Sequence, residues 1–247
     1  MSVVLREAWA TLVPDTTGRH GPLPPLMLAL TVLTGLVDAF SYLLLGKVFV
    51  ANMTGNVVFC GFGAAGAPGF SLVASAVALG AFAAGALAGG IVVHRARAHR
   101  GRQLQHALLA ETTCVAAAMA VTLASGEPYT GAARFTLIAL LGLGLGVQNA
   151  ASRALAVPDL TTTVLTLTIT GVVADSRLAG GPGRRAGRRI LSVAAMLAGG
   201  LAGALAVLNG HPTLPLLIAV LFLVFASTAA IRFARSGAPW TRPLVTA

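Results

Sequence analysis

The sequence predicts an all-α, polytopic membrane protein with about six spanning helices and two half-helices or re-entrant pieces. Three observations carry that prediction. The 247 residues are 56% hydrophobic and only 10% charged, with a mean hydropathy of +0.85, whereas a soluble domain carries about 25% charged residues. The apolar residues gather into eight runs, roughly 26–46, 48–65, 70–94, 104–125, 133–151, 160–174, 190–209 and 214–233. The arginines cluster between the runs and in the tails.

Taken in order, residues 1–25 read as a tail. They hold no long apolar stretch and no clear cleavage site, so they do not form a signal peptide. The proline-rich "GPLPPL" then leads into the first run. The second and sixth runs are short and rich in Asn and Thr. At about 1.5 Å per residue they are marginal for a hydrocarbon core about 30 Å thick.

The basic loops fix the number of crossings. "HRARAHRGR" at 94–102 holds four arginines and "RLAGGPGRRAGRR" at 177–189 holds five, while Arg232, Arg235 and Arg242 lie near the C-terminus. No aromatic residues are interleaved with them, so the net charge of +10 reads as a positive-inside topology signal and not as a nucleic-acid surface. Two loops on one side require an even number of crossings between them. Three runs lie between them, so one does not cross, and the short sixth is the natural choice. With Arg6 and Arg19 also inside, the second run does not cross either. Both termini are then cytoplasmic. The expected organisation is a tail (1–25), one transmembrane domain (26–233, with halves of about 26–125 and 133–233) and a second tail (234–247).

An internal repeat leads to the same plan. "DAFSY" at 38–42 aligns with "NAASR" at 149–153, "ANMTGNVV" at 51–58 with "PDLTTTVL" at 158–165, and "GALAGG" at 85–90 with "GGLAGA" at 199–204. Each unit makes three net crossings, so the two copies lie in opposite orientations, the inverted-repeat plan of many secondary transporters.

The polar stretches are the candidate site. Non-helical backbone in lipid leaves costly unpaired N–H and C=O groups unless it is buried in protein or lines a watery cavity. Asn52 is placed to cap a helix beginning at Met53, and Asp159, after Pro158, to cap one beginning at Leu160. Two such buried helix starts, facing each other near the midplane, would expose free N–H groups able to hold a polar or anionic solute. Thr54, Asn56, Thr161, Thr162 and Thr163 would add donors and acceptors. The same residues also fit plain helix-to-helix hydrogen bonding.

Asp38 is the sharpest single residue, because a mid-span carboxylate costs about 2.5–3.5 kcal/mol on the insertion scale. Its repeat mate is Asn149, flanked by Gln148 and followed by Arg153. Two readings of Asp38 stay open here. One is proton coupling or solute binding. The other is structural: an ion pair with Arg153 or Lys47, or a bond to the freed backbone near Asn52. Glu111 is a candidate second intramembrane acid, about two turns into the fourth run, where snorkelling to the cytoplasmic surface is the other reading. The pairs Gly85/Gly89, Gly142/Gly146 and Gly199/Gly203 allow close helix packing within the chain or in a homo-oligomer.

Other signals are weak. Cys60 and Cys114 lack partners at redox or metal spacing, and the five histidines are scattered, so no metal or cofactor is expected. "GLGLG" at 142–146 lacks the GxGxxG spacing and follows no strand. The "NMT" sequon lies in an apolar run. No Ser/His, Cys/His, HExxH or paired-acid arrangement stands in the runs, so an enzyme is not expected.

"TGLVDAFSYLLLGKVFVANMTGNVVFCG" at 34–61 and "GVQNAASRALAVPDLTTTVLT" at 146–166 resemble the YoaK-like family of bacterial multi-pass membrane proteins, a domain of unknown function. The resemblance implies a bacterial inner-membrane protein and supplies no substrate. Asp38, Asn52, Thr54, Gly55, Asn56, Gln148, Asn149, Thr162 and Thr166 fall on its motif positions. Leu167 departs from the glycine usual there, which puts a tight backbone approach in doubt. The expected function is a small-solute transporter, with lipid and a small polar or anionic solute as partners. A non-transporting scaffold or accessory subunit is the alternative, and an intramembrane enzyme is a weaker one.

Overall fold

The computed structural model describes residues 3–243 apart from 16, 17, 164, 182, 184 and 236, so the expected tails are described only in part. Among these residues the protein is all-helical. Six helices are long and apolar enough to cross a membrane: α2 (Leu23–Leu44), α4 (Leu72–Arg95), α5 (Arg100–Ser125), α6 (Gly131–Leu155), α8 (Ala186–Leu208) and α9 (Leu214–Arg235). Two shorter apolar helices follow α2 and α6: α3 (Met53–Ala64) and α7 (Leu165–Ala174). They fall on the second and sixth apolar runs. At about 1.5 Å per residue neither reaches across a core about 30 Å thick.

Local chemistry sets the ends. Prolines fill the first turn of α2, where their missing N–H groups would have had no helical partner. Ser71 Oγ caps α4 by accepting from the Ala74 amide at 3.2 Å. The N-terminal tail is more than a tail. It contains α1 (Val3–Leu12), whose Glu7 carboxylate caps α8, accepting from the Arg185 and Gly187 amides at 3.0 and 3.1 Å. A carboxylate from another helix does the capping that a local Ser or Asp usually does, so the segment itself carries no local signal of it.

α2 and α6 form the buried centre of the bundle. α2 lies along α8, α4 lies along α6, and α5 fits between α6 and α9. Glycine permits both long contacts. A Cβ at Gly85 would strike the Leu143 carbonyl oxygen of α6, and one at Gly199 would strike the Val32 carbonyl oxygen of α2. Gly146 and Gly35 are equally tight against α4 and α8. These glycines are therefore used within the chain.

Two arginines fix the relative direction of the central helices. Arg100, at the start of α5, is buried and donates to the carbonyls of Arg19 (2.9 Å), Trp240 (3.1 Å) and Leu155. This ties the approach to α2 to the end of α6. Arg134, near the start of α6, donates to the Leu45 carbonyl at the end of α2 at 2.7 Å. α2 and α6 therefore run in opposite directions, and the chain breaks that follow them lie at opposite ends of the bundle.

Candidate functional site

The first break begins where Gly46 and Lys47 both take left-handed backbone (φ 85° and 56°) and turn the chain back toward the bundle. It returns to the level of Asp38, six residues or about 9 Å in from the end of α2. There the Asp38 carboxylate receives four N–H groups. Oδ1 accepts from the Val50 and Ala51 amides, both at 2.9 Å, and Oδ2 accepts from the Asn52 amide at 3.3 Å and from Asn52 Nδ2. Asn56, fully buried, clasps the peptide of Phe49 from both sides: its Oδ1 accepts from the amide at 3.0 Å and its Nδ2 donates to the carbonyl. Phe49 stacks between Tyr42 and Phe59 (centroids 4.9 and 5.8 Å), and Phe59 continues to Phe70 at 5.2 Å. The break is shut, with Asp38 only 4% exposed.

The second break begins at Ala156, again left-handed. It returns to Asn149, which is six residues in from the end of α6. Asn149 Oδ1 accepts from Thr163 Oγ1 at 2.5 Å, and its Nδ2 is turned to the Leu145 carbonyl. The acid lies elsewhere. Asp159, left-handed at φ 62°, pairs with Arg189 at the start of α8 (2.9 Å) and lies 3.6 Å from Arg185. Arg189 also donates to Asp175 at 2.7 Å and to the Gly171 carbonyl at 2.6 Å, at the far end of α7. Beside this loop lies a cavity of about 1050 Å³. Asn149, Arg153, Asp159, Thr161, Thr168 and Arg189 are its polar lining, and Phe82, Ala86 and Val93 of α4 face them.

The sequence-selected residues therefore divide into two groups and do not frame one midplane site. Asp38, Asn52 and Asn56 hold the first break, and Thr54 is exposed on the first turn of α3. Asn149, Asp159, Thr161 and Thr163 belong to the second break, while Thr162 is buried and bonded to the Thr161 carbonyl. Thr166 is exposed on α7. Gln148 faces the other way and donates to Thr34 Oγ1 of α2 at 3.0 Å.

Several expectations need correction. α7 starts at Leu165, not Leu160, and the Asp159 carboxylate is claimed by Arg189 of α8 and by Arg185, the residue before that helix. Asn52 occupies the position before α3, but its side chain donates to Asp38 and makes no cap. Asp38 makes neither of the ion pairs considered for it. Lys47 lies over the Phe70 ring at 4.9 Å and Arg153 lines the cavity, so of the structural contacts considered for Asp38 it is the bond to freed backbone that is made. The side chain that bonds Asn149 from fourteen positions on, as Asn52 bonds Asp38, is Thr163 and not Asp159. Glu111 does not snorkel, being only 1% exposed. Leu167 needs no correction: the doubt about a tight approach there agrees with a side chain that stands 72% exposed beside the cavity.

Sequence reasoning passed over Arg189. In the sequence it reads as one more topology charge, although it sits at the very edge of the run 190–209 and one turn inside α8. No group of three or more His, Cys, Asp or Glu side chains able to hold a metal occurs among the described residues.

Residues 26–229 match the family model described as "Protein of unknown function (DUF1275)". The chain belongs to the DUF1275 family. It is also similar to the UPF0700 transmembrane protein YoaK of Bacillus subtilis (strain 168), 30% identical over 151 residues, which cover 60% of this chain and 65% of YoaK. The YoaK-like resemblance carried by the two motifs thus holds, and the match to YoaK spans less than two thirds of that protein's length. No solved structure matches the chain. The DUF1275 match takes in both breaks and all six long helices, stopping short only of the first turn of α2 and the last turns of α9.

Proposed function

We propose that this membrane protein is a permease, not an enzyme, for a small polar or anionic solute. It works by alternating access between two halves that form an inverted repeat. One observation carries the reading: a cavity of about 1050 Å³ reaches the second break, while the matching break at the other end is closed over its acid. A carrier caught open to one side has this asymmetry. Arg153 and Arg189 give the cavity two cations against one carboxylate, which favours an anion or a zwitterion.

In this reading the solute binds at Asn149, Thr161 and Arg189, with Asp159, Thr162, Thr163 and Thr166 shaping the loop and helix start around it, while Gln148 holds α6 to α2 behind them. In the opposite state the first break opens, and Asp38, Asn52, Thr54 and Asn56 line the route from the other side. The basic end, with both termini, faces the cytoplasm of a bacterial inner membrane.

The test is directional labelling. In a background lacking Cys60 and Cys114, Thr161→Cys should react with a membrane-impermeant maleimide from the cytoplasmic face only, and Ala51→Cys from neither face. A panel of carboxylates, amino acids and phosphate is then screened for protection of Thr161→Cys and for uptake into proteoliposomes. A Thr161→Cys that labels only from outside, or a panel that neither protects nor crosses, would defeat the proposal.

A further inference from the structure

At the seam of α2, α5 and α6, on the side of α6 turned from Asn149, four buried polar atoms have no partner among the described residues. They are both carboxyl oxygens of Glu111, Oε1 of Gln148 and Oγ of Ser152. The three residues are 1%, 2% and 1% exposed. All three line one small cavity of about 10 Å³, walled otherwise by apolar side chains such as Leu30, Leu108 and Leu155. A void of that size is at the lower limit for one water molecule, and a buried water needs two to four polar partners.

The donor and acceptor inventory decides what the site holds. Gln148 gives one amide N–H to Thr34, and Thr34 donates onward to the Leu30 carbonyl; the Gln148 atom left without a partner is its carbonyl oxygen. An ionised Glu111 would offer two more acceptors. Ser152 supplies a single O–H. Three acceptors, one hydroxyl and a negative charge would then share a space without a cation. No residue lining the cavity from α2, α5 or α6 carries a charge apart from Glu111. Across the α5–α9 contact, Ser227 faces Thr112, and Cys114 stands one turn further along α5. Asp38 is the opposite case: it meets four N–H donors, which suit a carboxylate and leave no place for an acidic O–H.

We propose that Glu111, Gln148 and Ser152 form a proton-binding site, in which the Glu111 carboxyl carries a proton and one water joins it to the other two side chains. The site lies beside the Thr34–Gln148 bond that links α2 to α6, where any motion between the halves would reach it. It stands whether or not the protein moves a solute, because the proton is assigned from the hydrogen-bond inventory alone.

The test is infrared spectroscopy of the purified protein at neutral pH, where a solvated glutamate is ionised. The chain has only seven Asp and Glu residues in all, so the carboxyl region is sparse. A protonated-carboxyl C=O band is expected, absent in Glu111→Gln and retained in Asp38→Asn. Ser152→Ala and Gln148→Leu, which keep Glu111, should each shift that band as its hydrogen bonding changes. Absence of the band in the wild type, or its survival in Glu111→Gln, would overturn the site. If Glu111→Gln does not fold, a band unmoved by both Ser152→Ala and Gln148→Leu overturns it equally.

Discussion

The two chain breaks use the same geometry with different chemistry. Each follows a buried central helix, turns through left-handed backbone, and returns about two turns inward to a side chain on that helix. At the first break that side chain is Asp38, and its two oxygens take three backbone amides and one side-chain amide. At the second it is Asn149, which receives one hydroxyl and spends its own N–H groups on its helix. A carboxylate offers acceptors alone and can gather a loop's donors, whereas an amide brings donors that compete with them. The second loop is held instead by Asp159 and Arg189 at the edge of an open cavity. One loop is locked from within, and the other is latched from outside.

The largest expected effect tests the lock. Asp38→Ala strands four buried or half-buried N–H donors, and each unpaired buried donor costs about 1–3 kcal/mol. A loss of roughly 3 kcal/mol or more should appear as a collapse in folded yield and Tm in detergent. Asn149→Ala, at the matching position, removes two bonds, from Thr163 and to the Leu145 carbonyl, and should cost about 1–2 kcal/mol. Equal losses would erase the distinction between the two breaks.

A second pair asks whether the scaffold around the breaks is balanced where the breaks are not. Gly85→Val and Gly199→Val each force a side chain into a carbonyl of the facing helix. Overpacking of this kind costs about 1–3 kcal/mol. The two variants should lose Tm alike, since α4 on α6 and α8 on α2 make the same approach. A large difference between them would mean that the halves are not equivalent in packing either.

The sequence made much of this legible. The eight apolar runs match α2 to α9, and the parity of the basic loops picked out the two helices too short to cross. Asp38 and Asn52 declared themselves because polar residues are rare in such runs. The contents of the second break were less legible for a physical reason. Asp159 looked like a helix cap because the local pattern favours one, but its partner Arg189 comes from thirty positions on, across a basic loop whose charges already had an explanation. Local rules cannot see a competitor that arrives from another helix. The same holds for Glu7, which caps α8 from α1, and for Glu111, whose burial depends on how α5 meets α6.

The latch gives a smaller, more specific effect. Arg189→Gln removes the charge from contacts with Asp159 and Asp175, the latter half-exposed, so stability should fall by only about 1 kcal/mol. Its effect on the second break should be larger than its effect on Tm. With the Asp159 pairing gone, Thr161→Cys should be labelled faster, while Ala51→Cys stays protected. A rate unchanged at Thr161 would mean that the loop is held by Thr162 and Thr163 alone.

The smallest effect separates the two ends by pH. His20 sits at the basic end, where its Nδ1 lies 3.4 Å from Arg100, the residue that also holds the end of α6. Burial, then the charges of Arg100, Arg188 and Arg19, push its pKa down from 6.5 to about 4. An unfolded chain takes up this proton near 6.5, and the folded one resists until about 4. The contribution of His20 is therefore intact above 6.5 and declines as the pH falls from there to about 4. Half-exposed as it is, the residue should move Tm modestly, and His20→Gln should flatten the decline. Because Arg100 anchors the second break and not the first, hydrogen exchange corrected for its intrinsic pH dependence should rise in acid at residues 155–163. Residues 48–52, gathered on Asp38 at the opposite end, should stay protected over the same range. Equal loosening at both breaks would place the acid-sensitive contact elsewhere.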